Sequence, residues 1–300
     1  MIRRMYRVAA EGCAEVVTRV PSLEQPFVRF GARAWPRPLL GRFYRSAADR
    51  VADRMRHAGA PFRTLTICGM PLVLDVTEFT TKTLYFGNVP YEPATTACLA
   101  RLVTPGAVFV DIGANHGYFS LLAAALAGPA GRVFAFEPNP VVLDQLRTHV
   151  RLNAFESRIT TLDVALADVA DAEAQLYVSQ ISTNSGLSSL QPSAAAFVRG
   201  SLSADRIVAV RAETFDRWFA TSGLPRVDLV KIDVEGAEHR VVAGMAASLA
   251  ARRIGAIVCE TVWDGAAHHV LCDAGFTPTV LDRLDENANI LYSRSDRRRS

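Results

Sequence analysis

The chain has 300 residues, half of them hydrophobic and 21% charged, which suits one large globular domain or a smaller one with an appendage. No apolar run approaches the roughly 20 residues of a membrane-spanning helix; the longest, 118–126, reads as a helix packed on a sheet. The net charge of +3 is unevenly spread: residues 1–63 hold 13 Arg against five acids, a balance of +8, and the remainder carries −5. The basic character therefore belongs to the N-terminal part, and no aromatic-interleaved basic stripe on the remainder points to nucleic acid. Cys13, Cys68, Cys98, Cys259 and Cys272 form no CxxC and pair with no nearby histidines. That argues against a disulfide framework or structural zinc and for reduced thiols in a cytoplasmic protein. Arg3, Arg4 and Arg7 open the chain, but Glu11, Glu15 and Arg19 interrupt any hydrophobic region that would make a signal peptide.

In chain order, the first element is a helical stretch, set off by Pro21, Pro26, Pro36 and Pro38 from a second helix. There Phe43, Ala47, Val51 and Met55 recur every four residues opposite an Arg- and Asp-rich face. Runs 64–68 and 72–76 alternate like a hairpin around Gly69-Met70-Pro71. From residue 107 strands and helices alternate. Strands are expected at 107–112, 132–136, 158–162, 174–178, 207–210, 227–232, 254–259, 276–281 and 289–293. Helices are expected at 115–127, 140–153, 238–249 and 266–274. Such short, almost continuously apolar strands between helices predict a mainly parallel α/β sheet, closed by an antiparallel edge near the C-terminus. The organisation read from this is a basic helical extension over 1–62, a main α/β domain over 63–293, and a disordered basic tail over 294–300. The basic extension also suggests peripheral contact with a membrane surface.

Two features carry chemistry. The first is DIGANHGYF, residues 111–119, directly after a strand. Gly113 and Gly117 let the backbone turn sharply and approach a ligand. Glu137, at the end of the next strand, is placed to accept ribose hydroxyls. The spacing is GxxxG with Asp111 two residues ahead, not the GxGxxG of a dinucleotide fold. A carboxylate there disfavours a pyrophosphate and welcomes a cofactor with an ammonium and a sulfonium. The second is VDLVKIDVEGAEH, residues 227–239, a buried strand running into Asp233, Glu235, Glu238 and His239. Asp111, Glu137, Asp163, Asp233 and Glu260 all fall at strand ends, where open α/β sheets bind ligands.

DIGANHGYFS, AFEPNP and DLVKIDVEGAE, in this order and spacing, resemble the FkbM family of class I S-adenosylmethionine-dependent methyltransferases. The resemblance runs over about 80–293, including YEP at 91–93 and NSGLSSL at 184–190. It implies a seven-stranded Rossmann-like sheet with helices on both faces, and methyl transfer, usually to oxygen, on a sugar or small natural product. It also implies that Asp111, Gly113, Asn115 and Gly117 line the methionine and ribose of S-adenosylmethionine. Glu137 would then hold the ribose hydroxyls, with Pro138 and Asn139 beside the adenine. Asp163 would meet the adenine amino group between Val164 and Ala165, and Asp233 would approach the methyl.

A hydroxyl acceptor must lose its proton during transfer, where a general base is typically worth about 10²–10⁴ in rate. Asp233 is the first candidate, Glu235 and Glu238 follow it in the turn at Gly236, and His239 and His116 are alternatives. Lys231 would balance the acids or meet an anionic acceptor. Asp233 and Glu260 could instead share a divalent cation with the acceptor, but no third ligand is evident and no metal set is assigned. Asn184, Ser185 and Gly186 on one side, and Tyr85, Tyr91 and Glu92 on the other, are expected to close over the ligands. The competing readings are a non-catalytic module of the same fold and an NAD-dependent dehydrogenase, the latter disfavoured by the glycine spacing.

Overall fold

The seven strands that position the site lie side by side in the order β11-β12-β10-β9-β3-β4-β5. They are β3 (Val108–Ile112), β4 (Arg132–Phe136), β5 (Ile159–Leu162), β9 (Val227–Ile232), β10 (Ile254–Val262), β11 (Thr277–Leu284) and β12 (Asn287–Ser293). This computed structural model describes residues 2–170, 172–179, 188–190, 202–284 and 287–294. The sheet is parallel except for β12, which runs antiparallel to both neighbours. The reversed strand thus sits between β10 and β11, and β11, expected with it as a reversed edge, runs with the others.

Val110, Ile112, Phe134, Phe136, Val230 and Ile232 are buried on one face, clustered with Trp218, Val241, Val242 and Leu271 from helices Phe215–Thr221, Glu238–Ala243 and Ala266–Asp273. Helix Tyr118–Ala127 covers the other face through Ser120 and Phe119. Central strands covered on both sides read as continuous apolar runs, which is why they were legible. The runs at 174–178 and 207–210 behave differently. They belong to β7 (Ala172–Ser179) and β8 (Leu202–Glu213), which form a separate three-stranded sheet with β6 (Ala165–Leu166). Leu176 and Val210 supply its small core, while Glu173, Gln175 and Ile207 on the same two strands are exposed.

Two helices are shorter than their periodicity predicts. The first starts at Tyr118 and not 115, because Asn115 (φ 50) and Gly117 (φ 87) take left-handed backbone. The span 238–249 divides into Glu238–Ala243 and Ala246–Ala250.

Backbone contacts divide the chain into two units, with the change at residues 91 and 92. The first holds helices Ile2–Arg19, Glu24–Ala34, Pro38–His57 and Phe79–Gly87, and the hairpin of β1 (Phe62–Ile67) and β2 (Met70–Asp75). The sequence-based boundary at residue 62 falls inside it. The hairpin turns at Cys68 (φ 51) and Gly69 (φ 79), one residue earlier than expected, since a two-residue hairpin turn favours positive φ at both positions. Tyr44, Ala47, Val51 and Met55 form the buried stripe of the third helix. All five acids of residues 1–63 are ion-paired: Glu11 with Arg50 and Arg54, Glu15 with Arg19, Glu24 with Arg63, Asp49 with Lys82 and Asp53 with Arg56. No helix among the described residues is long and apolar enough to cross a membrane.

Candidate active site

The strand order reverses direction between β3 and β9: β4 and β5 lie to one side of β3, β9 and β10 to the other. A crevice therefore opens at the carboxyl ends of β3 and β9, the position where open α/β sheets bind ligands.

On the β3 side the glycine-rich turn is tied to β4. Gly113 and Ala114 donate their N–H groups to the Phe136 carbonyl at 3.0 and 2.9 Å. Gly113 has φ 80, and a Cβ there would lie 1.9 Å from the carbonyl oxygen of Asp233, so only glycine allows the β3 and β9 ends this close. Asp111, 1% exposed, accepts a hydrogen bond from Ser120 Oγ at 2.6 Å through Oδ2, while its buried Oδ1 has no partner. Burial pushes the Asp111 carboxyl up, against the opposing pull of Lys231. Asn115 Oδ1 is likewise buried without a partner.

Glu137, 8% exposed, accepts the backbone N–H of Asn115 through Oε2 and that of Asn139 through Oε1, each at 2.9 Å. Burial pushes its carboxyl up to about 7; the two N–H groups and His116 pull it down, and Asp111 raises it. Asn139 caps helix Pro140–Leu152, its side chain accepting from Val141 N. Asp163 stands apart, its side chain 70% exposed and 3.7 Å from Arg211.

On the β9 side, Lys231 is 3% exposed, and its Nζ donates to Asp233 Oδ2 at 2.8 Å and lies 4.8 Å from the Phe119 ring centroid. Burial alone would push the ammonium down, but Asp233, Glu92 and Asp111 outweigh it and its pKa is raised. Glu238 is 8% exposed and turned back on its own loop, accepting from Val234 N at 3.2 Å and Gly236 N at 2.9 Å. Glu235 has φ 54 and is exposed at the tip of that loop. Although the residue as a whole is exposed, desolvation of its carboxyl end pushes the group up, and the charges of Asp233, Glu260 and Glu238 push it further. His239 contributes to the lowering of the Asp168 carboxyl, which is set chiefly by the hydrogen bond from Arg240.

The structure adds Glu92 to the acids at the carboxyl ends of β9 and β10. One carboxylate oxygen each from Glu92, Asp233 and Glu260 lies within 4.8 Å of the others. Glu92 precedes helix Pro93–Leu102 with φ 40, and sequence reasoning placed it only among the covering residues. Its signal in the sequence was the YEP at 91–93. Tyr85 belongs to the first unit, where its hydroxyl donates to Glu24. Asn184, Ser185 and Gly186, and residues 295–300 of the tail expected over 294–300, lie outside the described residues, while Arg294 donates to the carbonyls of Leu249 and Ala274.

A family model described as the methyltransferase FkbM domain matches residues 111–275. Methyltransferase sdnD of Sordaria araneosa is 32% identical over 154 residues, covering 45% of this chain and 59% of the relative. The 31-O-demethyl-FK506 methyltransferase FkbM of Streptomyces tacrolimicus is 30% identical over 162 residues, covering 47% of this chain and 60% of the relative. The chain thus spans less than two thirds of either relative. Among solved structures, Methanocaldococcus jannaschii Trm5 in complex with adenosine aligns over 77% of this chain and 54% of its own, at 12% identity and a TM-score of 0.42.

Proposed function

The chain belongs to the FkbM methyltransferase family, and from that premise we propose that it methylates a hydroxyl of a small carbohydrate-like or secondary-metabolite acceptor, with S-adenosylmethionine as donor. The observation that carries the donor assignment is the pair of buried acceptor oxygens without partners, Asp111 Oδ1 and Asn115 Oδ1, at the glycine-rich turn. Each unmet buried acceptor costs about 1–3 kcal/mol, which a ligand rich in N–H and O–H donors relieves. An ammonium and two ribose hydroxyls are such donors, whereas a pyrophosphate brings only acceptors. Glu137 spends one lone pair of each oxygen on a backbone N–H and keeps others for ribose.

Bound there, S-adenosylmethionine supplies an electrophilic methyl on a positively charged sulfur, open to in-line attack. The chain's own contribution is alignment and proton handling, alignment being worth up to about 7–11 kcal/mol in favourable cases. Lys231 fixes Asp233 through Oδ2 and leaves Oδ1 for the acceptor hydroxyl. Glu238 is a positioning residue, holding the loop at Val234 and Gly236. Asp233 is therefore the better candidate to take the proton, and Glu235, at the exposed tip, the next. Transfer of labelled methyl to a small-molecule extract, followed by mass spectrometry, tests this. An O-methyl product supports the proposal. Heat protection by NADH but not by S-adenosylhomocysteine would sink it.

Glu137 also makes affinity depend on pH. Its folded value of about 7 lies above the ordinary 4.5, so folding favours the neutral form. That contribution to stability is complete below about 4.5 and is lost as pH rises through about 7. Ribose hydroxyls call for the ionised form, so S-adenosylhomocysteine should bind more tightly as pH rises, by up to about tenfold per unit below 7. Calorimetric titration from acid to mildly basic pH should show this rise and a plateau. Glu137→Gln should flatten the profile and bind at least about tenfold more weakly, because only one of its side-chain atoms can accept. A flat profile in the unsubstituted protein would remove Glu137 from the ribose site.

A further inference from the structure

We propose that Glu92, Asp233, Glu260 and Asn289 form a binding site for one hard divalent cation. The three carboxylate oxygens lie within 4.8 Å of one another. Oxygen ligands about 2.1–2.4 Å from a six-coordinate Mg²⁺, Mn²⁺ or Ca²⁺ stand at about that separation or less from each other. The carboxylates come from three separate segments: the residue before helix Pro93–Leu102, the end of β9 and the body of β10. Among the described residues the Lys231 ammonium accompanies them, and its contact is with Oδ2 of Asp233.

Asn289 supplies the independent observation. It is 2% exposed, its Nδ2 is buried without a partner, and its carboxamide makes no hydrogen bond among the described residues. In the antiparallel ladder of β10 and β12 it stands directly opposite Glu260, so both side chains rise on the same face of the sheet. Asn287, two residues earlier on that face, donates Nδ2 to Glu260 Oε1 at 3.4 Å and steadies it. A buried amide with both ends unused can turn its oxygen toward a ligand beside Glu260. An all-oxygen donor set of this kind suits Mg²⁺, Mn²⁺ or Ca²⁺ better than zinc or copper. With the ion bound, Asp233 is its ligand and the ion, in place of Asp233, would acidify the acceptor hydroxyl; that role rests on the methyl-transfer reading, and the site itself does not.

The full chain, stripped with a chelator, would be titrated with Mn²⁺ alone and the free ion followed by electron paramagnetic resonance. The expected result is one saturable Mn²⁺ per chain, displaced by Mg²⁺ or Ca²⁺. Glu92→Gln and Glu260→Gln should each weaken it at least about tenfold and Asn289→Ala severalfold, with the exposed Asp144→Asn as an unchanged control. Circular dichroism and S-adenosylhomocysteine titration of each variant establish that it is folded. Absence of saturable binding, or binding indifferent to Glu92→Gln and Glu260→Gln in folded variants, overturns the site. Mn²⁺ binding without S-adenosylhomocysteine binding would leave the site standing and remove the methyl-transfer reading.

Discussion

Gly113→Ala is expected to lower stability by roughly 3–5 kcal/mol and to abolish S-adenosylhomocysteine binding. Two costs combine. Alanine at φ 80 is held in the left-handed region, at about 1–2 kcal/mol. The larger cost is steric: the new Cβ would stand 1.9 Å from the Asp233 carbonyl oxygen. That oxygen is backbone and cannot rotate away, because Asp233 N is bonded to the Ile112 carbonyl at 3.0 Å. Relief requires the ends of β3 and β9 to part, which pulls Gly113 N and Ala114 N from the Phe136 carbonyl. The crevice would lose its floor. Gly117→Ala makes the contrasting control. Its φ of 87 brings similar strain, but the nearest obstacle is Leu146 Cδ1, the end of a side chain that can turn aside. It should cost about 1–2 kcal/mol. Urea unfolding and ligand titration measure both, and equal losses in the two variants would refute the backbone-contact argument.

That contrast bears on what the chain discloses unfolded. The glycine turn, Asp111 and Glu137 were legible because their relation is local: two neighbouring strands and the loop between them. DVEGAE announced its acids but not how they divide. Glu238 reaches back to Val234 and Gly236 because the turn leaves those N–H groups unmet. Glu92 and Asn289 were out of reach for another reason. Glu92 reaches the acids from the residue before helix Pro93–Leu102, far from them in sequence, and Asn289 meets Glu260 only through strand order and register; no local pattern encodes that β12 inserts between β10 and β11. The runs at 174–178 and 207–210 were legible as strands, but not that they form a sheet apart, because their apolar residues do not disclose that Leu176 and Val210 pack in a core of their own.

Lys231→Met is expected to cost about 3–5 kcal/mol, although methionine fits an apolar site better than lysine does. The side chain lies on the central strand pair, Lys231 opposite Asp111 in the β3–β9 ladder, with 3% of its surface exposed. Its removal takes a cation from Asp111, whose Oδ1 lacks a partner and whose Oδ2 has Ser120 alone among the described residues. It also frees Asp233 Oδ2 and forfeits the contact with the Phe119 ring, itself worth about 1–2 kcal/mol when desolvated. If the loss comes from stranded carboxylates and not from packing, neutralising a partner should recover part of it. Lys231→Met combined with Asp111→Asn should therefore be more stable than Lys231→Met alone, and the coupling in the double-mutant cycle should reach about 1–3 kcal/mol. Strict additivity in urea unfolding would mean that Lys231 acts through its aliphatic stem. Lys231→Arg separates charge from shape: it keeps the cation but must fit a larger planar head into the space beside Phe119. It is expected to fall between the unsubstituted protein and Lys231→Met in stability while losing turnover, because Asp233 would no longer be held from the same point.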